Sequence, residues 1–129
     1  TDSGLVVPVV RNCEALDVWQ LAAEIARSAG NARDGQAKPD QLSGSTITIT
    51  SLGAIGGVST TPVINAPETS IIGVNKMVDR PVVRDGQIVV RTMMNLSASF
   101  DHRIVDGYDG AQLVQALRAL LENPGAIFV

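Results

Sequence analysis

The chain has 129 residues, 45% of them hydrophobic and 18% charged, with a formal net charge of −3. That balance belongs to a folded core rather than a disordered tail, and the length suits one ordinary domain. Its basic residues are scattered, which points away from nucleic acid and anionic membranes. Apolar runs such as Leu5-Val6-Val7-Pro8-Val9-Val10 are too short to cross a bilayer, and no signal peptide opens the chain. The single cysteine, Cys13, has no internal disulfide partner, reads as a small half-buried side chain, and fits a reducing compartment. With aromatics at 3%, the core must be built from Val, Ile, Leu and Ala.

In chain order, Leu5 to Val10 predicts a buried strand, being β-branched and bounded by Gly4 and Arg11-Asn12. A helix is expected from about Ala15 to Ala32, with Leu16, Trp19, Ala23 and Ala26 at helical spacing and Leu21 and Ile25 on a neighbouring row. Glu24 and Arg27 face outward; Gly30 weakens the helix and Gly35 ends it. Residues 34–44 are polar and turn-rich, as a surface connection would be. Ser45 to Ser51 alternates strictly, predicting a strand whose Ile47 and Ile49 pack while Thr46, Thr48 and Thr50 line a hydroxyl face. Gly53, Gly56 and Gly57 form a flexible turn. Thr69 to Asn75 reads as a second buried strand. Met77 to Val83 and Gln87 to Thr92 flank Arg84-Asp85-Gly86, the best hairpin signal in the chain. Met93 to Phe100 predicts another strand. Asp106 to Leu121 predicts a helix with Ala111, Val114, Leu117, Leu120 and Leu121 inward, stopped by Asn123-Pro124. This order argues an α/β or α+β two-layer sandwich on a mixed or antiparallel sheet.

His102 is the only histidine, so it is the only side chain whose ordinary pKa, about 6.5, suits proton transfer near neutrality. It stands just past a predicted strand end and before a helix. Asp106, four residues on, is at a helix start, where Asp serves as an N-cap worth about 1 kcal/mol. With one His and one Cys, no metal site is credible.

Ser99-Phe100-Asp101-His102-Arg103-Ile104-Val105-Asp106-Gly107 resembles the signature of the dihydrolipoamide acyltransferases, the core components of the 2-oxo acid dehydrogenase complexes. Gly4 to Val10, Thr46 to Gly53 and Thr61-Pro62-Val63-Ile64-Asn65-Ala66-Pro67-Glu68 resemble the same family in the same order, so the likeness covers nearly the whole chain. The related chloramphenicol acetyltransferases are matched more loosely. The resemblance implies a chloramphenicol acetyltransferase-like fold, with helices on one face of a mixed sheet. It implies an enzyme that moves an acyl group between the dihydrolipoyl thiol and coenzyme A.

By that carry-over His102 is the general base. The oxyanion donor is a hydroxyl 52 residues ahead of it, which is Thr50, with Ser51 as runner-up. Asp106 helps hold the imidazole in its working orientation, while Asp101 and Arg103 brace the turn through ion pairs. Ser51, Gly53, Gly56, Gly57 and Gly73 are candidates for close approach to the pantetheine arm of coenzyme A, although ordinary turn and packing roles suit the glycines equally. The substrates bring their own thiols, so no protein nucleophile is needed.

The family's catalytic domain is about twice this length, so residues 1–129 correspond to its C-terminal part, without the lipoyl and peripheral-subunit-binding domains. The resemblance further implies homotrimers, with histidine and hydroxyl donated by different subunits, assembling into cubic or dodecahedral cores of 24 or 60 subunits. The implied partners are a 2-oxo acid decarboxylase/dehydrogenase and dihydrolipoamide dehydrogenase. The implied location is the bacterial cytoplasm, or the mitochondrial matrix in a eukaryote. Two competing readings are a non-catalytic core scaffold, which need not keep His102, Asp106 and Thr50, and an antibiotic acetyltransferase, which usually differs where Asp101 stands. Met93-Met94-Asn95-Leu96-Ser97 and Glu122-Asn123-Pro124 resemble branched-chain members more than the pyruvate type.

Overall fold

The computed structural model describes residues 1–2 and 4–128, apart from the side chain of Ala54. The chain divides into two compact units, Thr1–Ser45 and Thr46–Val129.

The first unit holds one long helix, α1 (Val18–Arg33). It starts later than its apolar pattern predicts because Asp17 caps it. The Asp17 carboxylate accepts from the Gln20 N–H at 2.8 Å, and the Gln20 side chain accepts from the Asp17 N–H at 3.0 Å. A reciprocal pair of this kind satisfies two amides that would otherwise lack partners. Cys13–Ala15 form a separate 3-10 turn, and Cys13 is exposed rather than half-buried. Gly30 stays helical, and Asp34 ends the helix before Gly35, which takes a φ of 70°. Leu21 is half-buried and Ser28 and Ala32 are buried, whereas Trp19, Ala23, Ala26 and Ile25 are exposed.

Leu5 to Val10 forms no strand within residues 1–129, and Leu5 is 92% exposed. β-Structure needs a neighbour's backbone groups; this segment is tied by Val9 N–H donating to the Gln41 carbonyl at 2.8 Å. Arg11 closes the same region, its Nη2 donating to the carbonyls of Asp40 (2.6 Å) and Ser43 (3.0 Å).

The second unit contains β1 (Thr48–Ser51), β2 (Ser70–Val74), β3 (Val78–Arg84), β4 (Gln87–Met93), β5 (Leu96–Phe100) and α2 (Gly107–Glu122). β2 is the middle strand of a mixed sheet ordered β1-β2-β5, parallel to β1 and antiparallel to β5. Its sequence explains the place: Ser70, Ile71, Ile72 and Gly73 are all buried, as a strand covered on both faces requires. β3 and β4 form a hairpin in the register Val83↔Ile88 and Arg84↔Gln87. Asp85 and Gly86 take φ of 50° and 77°, the left-handed pair that a tight two-residue turn demands. Met93 ends β4 instead of opening β5.

The alternation in β1 is as expected, and within residues 1–129 it is the threonine row that is covered. Thr48 is buried and Thr50 half-buried, while Ile49 is 72% exposed. Alternation sets which residues share a face; what else is present decides which face is covered. Among the described residues the only buried apolar side chains are Ala32, Ile71 and Ile72, so much apolar surface remains open.

Asp106 caps α2 directly, one carboxylate oxygen accepting from the N–H groups of Tyr108 and Asp109, each at 2.9 Å. Gly110 then lets the helix lie against β5, since a Cβ there would stand 2.9 Å from the Phe100 ring. Asp106→Ala should lower stability by about 1 kcal/mol, whereas Asp106→Asn, an equally good cap, should nearly preserve it. Equal losses in thermal or denaturant unfolding of the two variants would contradict the capping role.

Candidate active site

The turn that leaves β5 is closed from both sides of His102. The Asp101 N–H donates to the Thr69 carbonyl at 2.8 Å, continuing the sheet by one bond. Its carbonyl then accepts from Ile104 and Val105, both at 2.9 Å. Its carboxylate accepts from the Arg103 N–H at 3.1 Å and from the guanidinium Nε (2.9 and 3.1 Å) and Nη2 (2.5 Å). Asp101 and Arg103 thus brace the turn as an ion pair. None of these bonds uses the His102 side chain, which is exposed and has no hydrogen-bond partner among the described residues.

These hydrogen bonds from Arg103, side chain first and then backbone, bring the Asp101 carboxyl down from 3.8 to about 2. A carboxyl whose folded value lies below its unfolded one stabilises above the unfolded value and loses that contribution as pH falls through the folded one. The pair therefore contributes throughout the neutral range and is lost only between 3.8 and about 2. Arg103→Gln should raise the Asp101 value toward 3.8 in an NMR titration. An unmoved titration would show that Arg103 is not its cause. Because the Arg103 side chain is 87% exposed, the pair should add little to global stability.

His102 lines an open groove of about 460 Å³ between β5 and α2, together with Ala98, Phe100, Asp106, Gly110 and Val114 among others. Most of its lining is apolar, and the imidazole and the capping carboxylate of Asp106 both border it. The Asp106 carboxylate is bonded to the α2 amides and not to the imidazole.

Thr50 is elsewhere. It pairs with Gly73, which pairs in turn with Ser97, so Thr50 lies level with the start of β5 on the opposite edge of the sheet. Two strand spacings of about 4.8 Å and three residues of rise at about 3.3 Å put the end of β5 roughly 14 Å from Thr50. His102 is two residues further on. One copy of the chain does not bring this hydroxyl to this imidazole.

The other candidates surround the end of β1. The Ser51 hydroxyl accepts from the Gly53 N–H at 3.1 Å, closing the Gly53–Ile55 turn, where Gly53 has a φ of 54°. The Gly57 carbonyl accepts from the Lys76 N–H at 3.2 Å. Gly73 is buried, and a Cβ on it would lie 2.9 Å from Thr60 Oγ1. Close packing by Thr60 within the chain is thus sufficient reason for this glycine.

A strap that the sequence reading missed holds the segment after the glycine turn. Asn95 Nδ2 donates to the Val58 carbonyl (2.6 Å), the Ser97 hydroxyl accepts from the Thr60 N–H (3.3 Å), and the Ser99 hydroxyl donates to the Pro62 carbonyl (2.6 Å). Alternate side chains of one strand face thus bind alternate residues of a segment running the same way. Asn75, buried at the end of β2, joins them by donating to Ser97 Oγ at 2.9 Å and the Asn95 carbonyl at 3.0 Å. The signal was the two-residue polar period Asn95, Ser97, Ser99, but no local pattern says what such a row will bind.

Comparison with known proteins defines the family. All of residues 1–129 match the 2-oxoacid dehydrogenases acyltransferase (catalytic domain) family, and the chain belongs to it. It is 62% identical over 128 residues to the Pseudomonas putida lipoamide acyltransferase component of branched-chain alpha-keto acid dehydrogenase complex, covering 99% of this chain and 30% of that protein. The chain thus spans under a third of that relative's length. A solved structure of Azotobacter vinelandii dihydrolipoamide acetyltransferase superposes with a TM-score of 0.92 at 42% identity, covering 98% of this chain and 52% of that one. The cubic core of the pyruvate dehydrogenase multienzyme complex also gives 0.92, at 43% identity and over the same shares. The fold is that of these acyltransferase cores. The Azotobacter work concerns the catalytic role of a serine, a histidine and an asparagine, 52 and four residues apart, the separations of Thr50, His102 and Asp106 here.

Proposed function

We propose that this chain supplies both halves of a shared acyltransferase active site, transferring an acyl group between a dihydrolipoyl thiol and coenzyme A. One observation carries the reading: a braced turn presents the chain's only imidazole, unbonded, to a largely apolar groove. Thiols have a pKa of about 8.5, so a base is needed to supply thiolate at neutral pH. His102 takes the thiol proton, and the thiolate forms a bond to the thioester carbonyl carbon. The resulting oxyanion accepts a hydrogen bond from Thr50. Collapse breaks the old carbon–sulfur bond, and the imidazolium returns its proton to the leaving thiolate. Threonine in place of the Azotobacter serine keeps the hydroxyl. Aspartate in place of its asparagine keeps the cap and adds a negative charge.

The sheet register separates Thr50 from His102, which fits a site completed between subunits of a homotrimer, with trimers building a larger core of the multienzyme complex. In that assembly Ser51, Gly53 and Gly57 border the end of β1, where the pantetheine arm of coenzyme A would lie. The lipoyl group would be carried on another domain. A 2-oxo acid decarboxylase/dehydrogenase and dihydrolipoamide dehydrogenase would complete the complex, in the cytoplasm of a bacterial source.

The acyl group is proposed to be branched-chain, supported by the 62% identity to the Pseudomonas putida protein against 42% to the Azotobacter acetyltransferase. Rates with isobutyryl-, acetyl- and succinyl-coenzyme A on the full-length enzyme should rank isobutyryl first. Selectivity among small acyl groups rests on a few methylenes, so a margin of about tenfold is expected. An acetyl preference would overturn the branched-chain assignment, and no transfer from any of the three would overturn the activity itself.

A further inference from the structure

We infer that Glu68 is a positioning residue for the hydroxyl face of β1, acting through Thr48 on Thr50. This rests on the proposed role of Thr50 as oxyanion donor.

Glu68 follows the Asn65–Pro67 turn, two residues before β2, and is only 6% exposed. A carboxyl group at that depth is costly unless it is hydrogen-bonded. Thr48 Oγ1 donates to Glu68 Oε2 at 2.6 Å, and Asn65 Nδ2 donates to Glu68 Oε1 at 3.3 Å. Asn65 holds the other end as well, its carbonyl accepting from the Glu68 N–H at 2.9 Å. Thr48 is itself 8% exposed, so the bond lies out of solvent, where geometry is held most tightly.

Strand alternation puts Thr48 and Thr50 on one face, about 7 Å apart. β1 has four residues and is laddered to β2. A backbone ladder fixes register, while rotation about the strand axis decides where the Thr50 hydroxyl points. The Thr48–Glu68 bond ties β1 to the segment entering β2 through a side chain on the Thr50 face. The bond from Glu68 reaches β1 at Thr48, so its effect on the oxyanion passes through the strand.

The test uses the full-length assembled enzyme. Thr48→Val keeps the β-branched shape and deletes the hydroxyl. It should lower kcat about tenfold, the scale of one hydrogen bond to a carboxyl group, with KM for acyl-coenzyme A changed less than about twofold. Thr48→Ser should restore most of kcat. In a Thr50→Val background, Thr48→Val should cost little more, because the group it positions is gone. Glu68→Gln, should it assemble, should fall between wild type and Thr48→Val. If Thr48→Val leaves kcat intact while Thr50→Val is impaired, the inference fails and the Thr50 assignment stands. If Thr48→Val costs the same factor in both backgrounds, its role is structural and the inference fails. If Thr50→Val itself is unimpaired, the Thr50 assignment fails and takes this inference with it.

Discussion

Replacing His102 with Ala is expected to lower kcat for acyl transfer between acyl-coenzyme A and dihydrolipoamide by about 10²–10⁴-fold, the usual contribution of a positioned general base. The chain has no other histidine to substitute. The loss should be chemical rather than structural, because the turn is closed by the backbone and carboxylate of Asp101 and by Arg103, none of which touches the imidazole. An exposed position with no partner should change stability by less than about 0.5 kcal/mol. The residual rate of the variant should climb as pH approaches the thiol value of about 8.5, since hydroxide then supplies the thiolate that the base no longer makes. Unchanged turnover at neutral pH would refute the assignment of His102, as would a loss matched by failure to assemble.

Mixing two inactive variants should restore activity. Within one chain Thr50 and His102 lie at opposite edges and opposite ends of the sheet. If a site takes its base from one subunit and its oxyanion donor from the next, His102→Ala and Thr50→Ala each spoil every site in a pure trimer. In trimers reassembled from equal amounts of both, each interface combines two subunits in a fixed order. Intact His102 then meets intact Thr50 at about a quarter of the interfaces of such a ring. Activity should rise to about a quarter of wild type, far above either variant alone, given that losing an oxyanion donor costs about 10²–10³ in rate. Simple averaging of the two residual rates would show that both groups act within one subunit, contrary to the register observed here.

The elements legible in the sequence are those whose signals are local. Asp85-Gly86 favours a left-handed pair of φ angles wherever it occurs, so the β3–β4 hairpin could be read directly. β2 was legible because a continuous apolar run bounded by polar residues suits a middle strand. α2 and its Asp106 cap were legible because capping depends on a span of four residues, from Asp106 to Asp109. The candidate base was legible for a different reason: with a single histidine there is no choice to make.

Other features were decided by what stands opposite. Leu5 to Val10 has the composition of a strand, yet forms none within residues 1–129, because strand formation depends on a neighbour and not on composition. The row of Thr46, Thr48 and Thr50 was separable from that of Ile47 and Ile49, but the buried bond of Thr48 to Glu68, 20 residues away, was not legible in either row. The strap of Asn95, Ser97 and Ser99 spans 37 residues at each of its bonds, beyond the reach of any periodicity.

By itself, then, the sequence determined the hairpin, the middle strand, the capped second helix and the identity of the proposed base, since each depends on dihedral preferences or residue chemistry within a few positions. Only the tertiary structure decided the covered face of β1, the bracing of the turn around His102, and the distance that keeps Thr50 from it. Those depend on strand order and register, which place residues far apart in the chain side by side and set neighbours in function at opposite ends of one sheet.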